Sequence, residues 1–127
     1  MMQHEHIFNA VATAVASYPK ALKLMILGMS DNSVQQQIAA SLNLTLLYEG
    51  FADRRYLASG ALTPRSQHGA VLSEQESLAQ VAQLVTSKSV TSHCGRQIPL
   101  TLDTLCVHGD NPAAIELVKK IKQTCQS

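Results

Sequence analysis

The chain has 127 residues, 46% hydrophobic and 15% charged, which suits one domain with a sizeable core and is too short for two. Lys and Arg total 10 against 9 Asp and Glu, without a basic stripe and with 4% aromatic residues, so nucleic acid is not an expected partner. No apolar run approaches the roughly 20 residues of a membrane span, and no signal segment is recognisable at the amino terminus. We expect a cytoplasmic protein that binds neither membrane nor nucleic acid.

The first predicted helix covers residues 6–17 and is ended by Pro19, which cannot continue the hydrogen-bond ladder. Spacing at three and four residues predicts an apolar face. That face comprises Ile7, Ala10, Val11, Ala14 and Val15. His4 and His6 lie at the amino-terminal edge of this helix, and we expect them in a mobile end.

Two strands follow. The apolar run 22–27 predicts the first, and the polar cluster 30–33 offers caps for a helix over residues 34–42. The run 44–48 predicts the second strand, which would deliver Glu49 just beyond its end.

The second half of the chain begins with a capping box, in which Ser73 and Glu76 satisfy each other's backbone amides ahead of an apolar helix. Short strands are predicted at 90–91 and 98–100, and a last strand at 105–107. Asn111 and Pro112 then predict the start of a final helix running to Ile121.

Strands alternating with helices predict the α/β class, a mostly parallel sheet covered by helices. Three or four strands suffice for a half-barrel or a small open sheet, since a closed barrel needs about twice this length. We treat residues 1–127 as a single domain.

Three cysteines at wide spacing, Cys94, Cys106 and Cys125, suggest neither a disulfide framework nor a zinc site. Cys106 lies inside an apolar run and is interpreted as a buried small hydrophobe.

Candidate site residues follow the predicted strands. Glu49 and Asp53 present carboxylates suited to a general base or a metal ligand, the alternative being loop-stabilising ion pairs with Arg54 or Arg55. Arg65 offers a guanidinium that can grip a carboxylate or phosphate, the alternative being a surface arginine.

His108, Gly109 and Asp110 follow the last strand at the opening of a helix. The imidazole can move a proton at neutral pH, and the alternative is a loop histidine held by Asp110. The chain contains no Walker A sequence.

Three segments together resemble the carboxyl-terminal half of the LamB/YcsF family. They are Glu49-Gly-Phe-Ala-Asp-Arg-Arg-Tyr56, Leu62-Thr-Pro-Arg-Ser66 with Gly69-Ala-Val71, and Asp103-Thr-Leu-Cys-Val-His-Gly-Asp110 with Pro112. The resemblance implies a partial β/α barrel of the glycoside hydrolase and deacetylase type.

The same resemblance implies ATP-dependent opening of 5-oxoproline to glutamate by a 5-oxoprolinase, performed with B and C partner subunits. It implies catalytic roles for Glu49, Asp53, His108 and Asp110, and substrate binding by Arg54, Arg65 and Ser66. ATP is the implied co-substrate, and no metal requirement follows.

Three upstream family blocks do not occur here: Asp-x-Asn-x-Asp-x-Gly-Glu, Ala-Cys-Gly-x-His-Ala-Gly-Asp and Lys-Pro-His-Gly-Ala-Leu-Tyr. We therefore expect a truncated reading frame or a separately made upstream half, with this chain inactive alone. The alternatives are a non-catalytic remnant or assembly module that pairs with a complementary half-barrel or itself, and a metal-dependent amide hydrolase of the deacetylase type.

Overall fold

The computed structural model describes residues 4–108 and 114–126. Helices and strands alternate through most of this range, as the pattern predicts. In chain order they are α1 Glu5–Ala16, β1 Lys23–Leu27, α2 Ser33–Ser41, β2 Thr45–Phe51, α3 Glu74–Ser87, β3 Ser89–Thr91, β4 Gln97–Pro99, β5 Thr104–Cys106 and α4 Ala114–Gln126.

The main sheet has the order β1-β2-β5, and both pairings are parallel. Asp103 extends the β2–β5 ladder, because its carboxylate accepts a hydrogen bond from the Tyr48 amide at 2.9 Å while its own amide donates to the Tyr48 carbonyl at 2.8 Å. A separate antiparallel hairpin joins β3 to β4. The predicted α/β class with mostly parallel strands is confirmed.

Successive strand residues point to opposite sides of the main sheet, and apolar side chains of one side contact the helices. Ile26 of β1 contacts α1, and Leu105 of β5 contacts α3 and α4 through two apolar clusters. In α1 the buried residues are Phe8 and Ala12, whereas the predicted face residue Ile7 is 41% exposed. The predicted face was therefore wrong, as Phe8 supplies the larger apolar surface for burial. Helix α1 starts at Glu5, so His6 lies in its first turn rather than in an end outside the helix.

Strand β2 continues to Phe51, three residues beyond the predicted end at Tyr48. Glu49 consequently lies inside β2, paired in register with Leu27 and Thr104, and the prediction that it follows the strand was wrong. At Gly50 the Leu102 side chain packs close to the strand, since a β-carbon there would lie 2.4 Å from a Leu102 methyl carbon.

Helix α3 begins at the predicted capping box. The Ser73 hydroxyl accepts from the Glu76 amide at 3.2 Å, and the Glu76 carboxylate accepts from the Ser73 amide at 3.2 Å. From its buried side, Gln80 donates to the carbonyls of Phe51 at 2.7 Å and Arg54 at 2.9 Å. One amide group therefore fixes the chain as it leaves β2.

Replacing Gln80 by Leu is expected to lower the free energy of unfolding by about 1–3 kcal/mol, because it leaves buried carbonyls without a donor. Urea denaturation measures the change, and Gln75→Leu at an exposed α3 position is the control. Equal stability of the two variants would contradict a stabilising role for the Gln80 hydrogen bonds to these carbonyls.

A second core forms where the β3–β4 hairpin meets α3. Tyr56, Leu84 and Val90 are each 0% exposed there, with Ile98 and Leu100 beside them. This core supports the loop segment after β2.

Among the described helices, none is long and apolar enough to cross a membrane. The predicted caps of the last helix, Asn111 and Pro112, lie outside the described residues.

Candidate functional site

The candidate site occupies the side of the main sheet opposite Ile26 and Leu105, here called the site face and defined by Met25, Leu47, Glu49, Phe51 and Cys106. The register pairs Met25 with Leu47 and Phe51 with Cys106, so these side chains share one side. Beyond the strands, Asp53 and His108 each lie two residues past a carboxyl end. That is the usual position for chemistry in parallel α/β sheets.

Asp53 and His108 form a hydrogen-bonded pair. Asp53 Oδ1 lies 2.9 Å from His108 Nδ1, and Asp53 Oδ2 accepts a hydrogen bond from the His108 amide at 3.0 Å. The Asp53 side chain is 11% exposed and the His108 side chain 28%. Two contacts from one carboxylate therefore fix both the backbone and the ring of His108.

Phe51 supports the same ring from its face, with centroids 5.7 Å apart and planes inclined by 18°. A carboxylate at Nδ1 favours the tautomer of the neutral ring that carries its proton there, and in that tautomer the lone pair is on Nε2. An imidazole held in this way can accept a proton from water through Nε2.

Glu49 lies beside the Cys106 thiol on the site face. Burial, followed by the hydrogen bond and negative charge of Glu49, raises the pKa of Cys106 to about 11. Burial is the main cause that raises the pKa of Tyr56 to about 12, and the negative charge of Glu49 raises it further. Cys106 is half-buried rather than buried as predicted, and it is a neutral thiol at pH 7.

Cys94 is expected to react with iodoacetamide before Cys106. Its hydrogen bond with the Ser92 hydroxyl, at 3.1 Å, lowers its pKa, so more reactive thiolate is present at pH 7.5. Cys106 becomes half ionised only as the pH approaches about 11. Mass spectrometry of timed labelling measures the order, and labelling in urea removes the difference as a control. Equal folded-state rates would contradict the assigned environments.

In the described structure, the two arginines after Asp53 do not pair with Glu49 or Asp53, so the loop-stabilising alternative was wrong. Arg55 binds Glu76 at 2.7 Å. Arg54 is 8% exposed and donates from Nη2 to the Thr63 carbonyl at 2.7 Å.

Arg65 and Ser66 lie exposed on the loop between Thr63 and Ala70. Within the described residues they make no hydrogen bond to Asp53 or His108. Substrate binding by Arg65 and Ser66 stays a prediction. Asp110 lies outside the described residues, and the described partner of His108 is Asp53 rather than Asp110.

Sequence reasoning missed Phe51, Gln80 and Thr63 as residues that shape the site. Alternation would have identified Phe51, since Glu49, Phe51 and Asp53 are spaced two apart as a strand requires. Ending the strand at Tyr48 concealed this signal. Residues 4–108 and 114–126 contain no group of three His, Cys, Asp or Glu side chains placed to hold a metal.

The parallel sheet and its Asp–His pair define an α/β protein with a site at the strand ends. A model of the LamB/YcsF family matches residues 1–127, and the chain belongs to that family. The predicted family resemblance is thus confirmed.

Individual relatives and one solved structure are similar to this chain over almost its whole length. The chain is 49% identical over 123 residues to the A subunit of 5-oxoprolinase from Vibrio cholerae, covering 96% of this chain and 49% of that protein. It is 45% identical over 124 residues to the corresponding protein of Vibrio vulnificus, covering 97% and 49%. The lactam utilization protein from Thermus thermophilus superposes with a TM-score of 0.79 at 28% identity, covering 96% of this chain and 47% of that one. The chain therefore spans about half the length of the relatives it matches.

Proposed function

We propose that this sequence forms the carboxyl-terminal part of the A subunit of a cytoplasmic, ATP-dependent 5-oxoprolinase, which hydrolyses 5-oxoproline to glutamate. Similarity to proteins of that name supports the family of reactions. The observation that carries the proposal is the Asp53–His108 pair at the strand ends, because lactam hydrolysis requires a base that activates water.

In the proposed reaction, His108 removes a proton from the attacking water through Nε2. Asp53 holds the ring in the required tautomer and stabilises the imidazolium that forms. The lactam oxygen receives a phosphoryl group from ATP, which makes the ring carbon a better electrophile. Water attacks the ring carbon and the C–N bond breaks, with a proton passing from the His108 imidazolium to the ring nitrogen, which leaves an acyl phosphate. A second water then hydrolyses the acyl phosphate to glutamate and phosphate.

Other site residues take supporting roles in this proposal. Glu49 and Asp110 are catalytic carboxylates in addition to Asp53. Arg54, Arg65 and Ser66 bind the substrate. Since the chain carries no Walker A sequence, ATP is held by another binding mode, by the remaining half of the family's barrel or by the B and C partners.

Reconstitution tests the proposal. Purified chain is combined with B and C subunits and with the amino-terminal half of a full-length relative, and glutamate formation from 5-oxoproline is measured with and without ATP. We expect ATP-dependent glutamate only in the complete mixture. A folded chain that supports no turnover in any mixture would rule out the catalytic role.

A second candidate is a non-catalytic assembly module that pairs with a complementary half or with another copy. In the described structure, β1 and β5 each have one edge without a partner strand, and Met25 on the site face is 47% exposed. Open edges and exposed apolar side chains favour association with another chain. Light scattering of the chain alone, and with the amino-terminal half, tests this role without reference to activity.

A further inference from the structure

Arg54 is a buried cation whose hydrogen bonding is incomplete. The residue is 8% exposed, and Nη2 donates to the Thr63 carbonyl at 2.7 Å. Its Nε–H is buried without any hydrogen-bond partner in the described structure. A guanidinium remains charged at all ordinary pH, so it cannot escape this environment by losing a proton.

Thr63 supplies a second buried group of the same kind beside it. The residue is 3% exposed, and its hydroxyl lacks a hydrogen-bond partner in the described structure. The Thr63 amide donates to the Arg55 carbonyl at 2.9 Å, and this bond fixes the residue close to Arg54. Two buried donors without a partner therefore belong to residues that are joined by the hydrogen bond from Arg54 Nη2 to the Thr63 carbonyl.

The charge of Arg54 is also uncompensated. Within residues 4–108 and 114–126 no ion pair to Arg54 is found, and the ion pairs present there involve Arg55, His108, Lys119 and Lys120. Burial of a charge without a counter-ion is costly, as is burial of a donor without an acceptor. One oxyanion removes both costs, because it brings negative charge and several acceptors.

We propose that the Arg54 guanidinium and the Thr63 hydroxyl form a subsite for one oxyanion group, a carboxylate or a phosphate. The Arg54 Nε–H and the Thr63 Oγ–H both donate to that group. Residues 64–69, which follow Thr63 directly, are exposed, and the anion would enter from that side. Assigning the oxyanion to the carboxylate of 5-oxoproline rests on the proposed function, whereas the subsite itself does not.

The test uses the full chain alone, because both donors belong to it. Proton–nitrogen NMR spectra follow the arginine Nε–H signals as 5-oxoproline, inorganic phosphate or 2-pyrrolidinone is added. The last compound is the same lactam ring without its carboxylate. Arg54→Lys identifies the Arg54 signal by its disappearance. We expect that signal to shift with 5-oxoproline or phosphate and to stay unchanged with 2-pyrrolidinone.

Variants separate the subsite from a general salt effect. Thr63→Val, which keeps the shape but removes the hydroxyl, is expected to weaken anion binding about tenfold, and Thr63→Ser to restore it. Arg96→Gln and Thr101→Val, at exposed positions, are the matched controls and should bind as the parent chain does.

The outcomes are distinct. A response to phosphate without one to 5-oxoproline supports the subsite and removes 5-oxoproline as its ligand. An equal response to 2-pyrrolidinone overturns the subsite. So does an Arg54 signal that no anion moves, which would leave a buried water as the partner of the two donors.

Discussion

Replacing Asp53 by Asn is expected to reduce ATP-dependent 5-oxoproline hydrolysis by about 10²–10⁴-fold in the reconstituted complex. An amide in place of the carboxylate removes the negative charge next to Nδ1 and no longer selects the tautomer with its lone pair on Nε2. It also offers one acceptor where Asp53 now accepts both from the His108 amide and at the His108 ring.

Two measurements test the predicted effect of Asp53→Asn. Steady-state glutamate formation gives the rate, and nitrogen-15 shifts of the His108 ring in the isolated chain give the tautomer. Asp31→Asn is the matched control, because Asp31 accepts a local hydrogen bond from the Ser33 amide and is not part of the Asp53–His108 pair. A D53N variant that keeps both the parent rate and the parent tautomer would contradict the role of Asp53 as the positioning residue of His108.

Replacing Tyr56 by Ala is expected to lower the free energy of unfolding by about 3–5 kcal/mol, as for other large buried side chains. Tyr56 is 0% exposed and packs in the core formed by Leu84, Val90, Ile98 and Leu100. Its hydroxyl also accepts a hydrogen bond from the Phe51 amide at 2.9 Å. Deletion therefore removes core packing and leaves the last residue of β2 without its acceptor.

Tyr56→Phe separates these contributions. Because it keeps the ring and removes the acceptor, it should cost about 1–3 kcal/mol. Urea denaturation measures both variants, and Tyr18→Phe, at a position 53% exposed, should change stability by less than about 0.5 kcal/mol. Equal stability of Tyr56→Phe and the parent would show that the hydroxyl contributes nothing.

The fold was largely predictable because its signals are local. The capping box at Ser73, the apolar runs of β1 and β5 and the alternation of strands with helices each depend on neighbouring residues. The exact end of β2 was not predictable in this way. Gly50 and the charged Glu49 interrupt the apolar run, and they continue as a strand because β5 pairs with them.

The candidate site was predicted as a set of residues but not as a set of contacts. Asp53 and His108 were identified, yet their pairing depends on parallel strands brought together by the fold. Arg54 was assigned to substrate binding, although nothing local indicates that its guanidinium is buried against Thr63. Such contacts follow from tertiary packing rather than from sequence spacing.

The Asp53–His108 contact joins residues 55 apart in the chain. Local structure forms before a contact of that span during folding, so the pair can exist only once β5 has joined β2. β5 is an edge strand of three residues, and short edge strands open more readily than long central ones. The ring signals of His108 therefore report whether the sheet is complete, and their hydrogen-exchange protection would measure how often β5 leaves it.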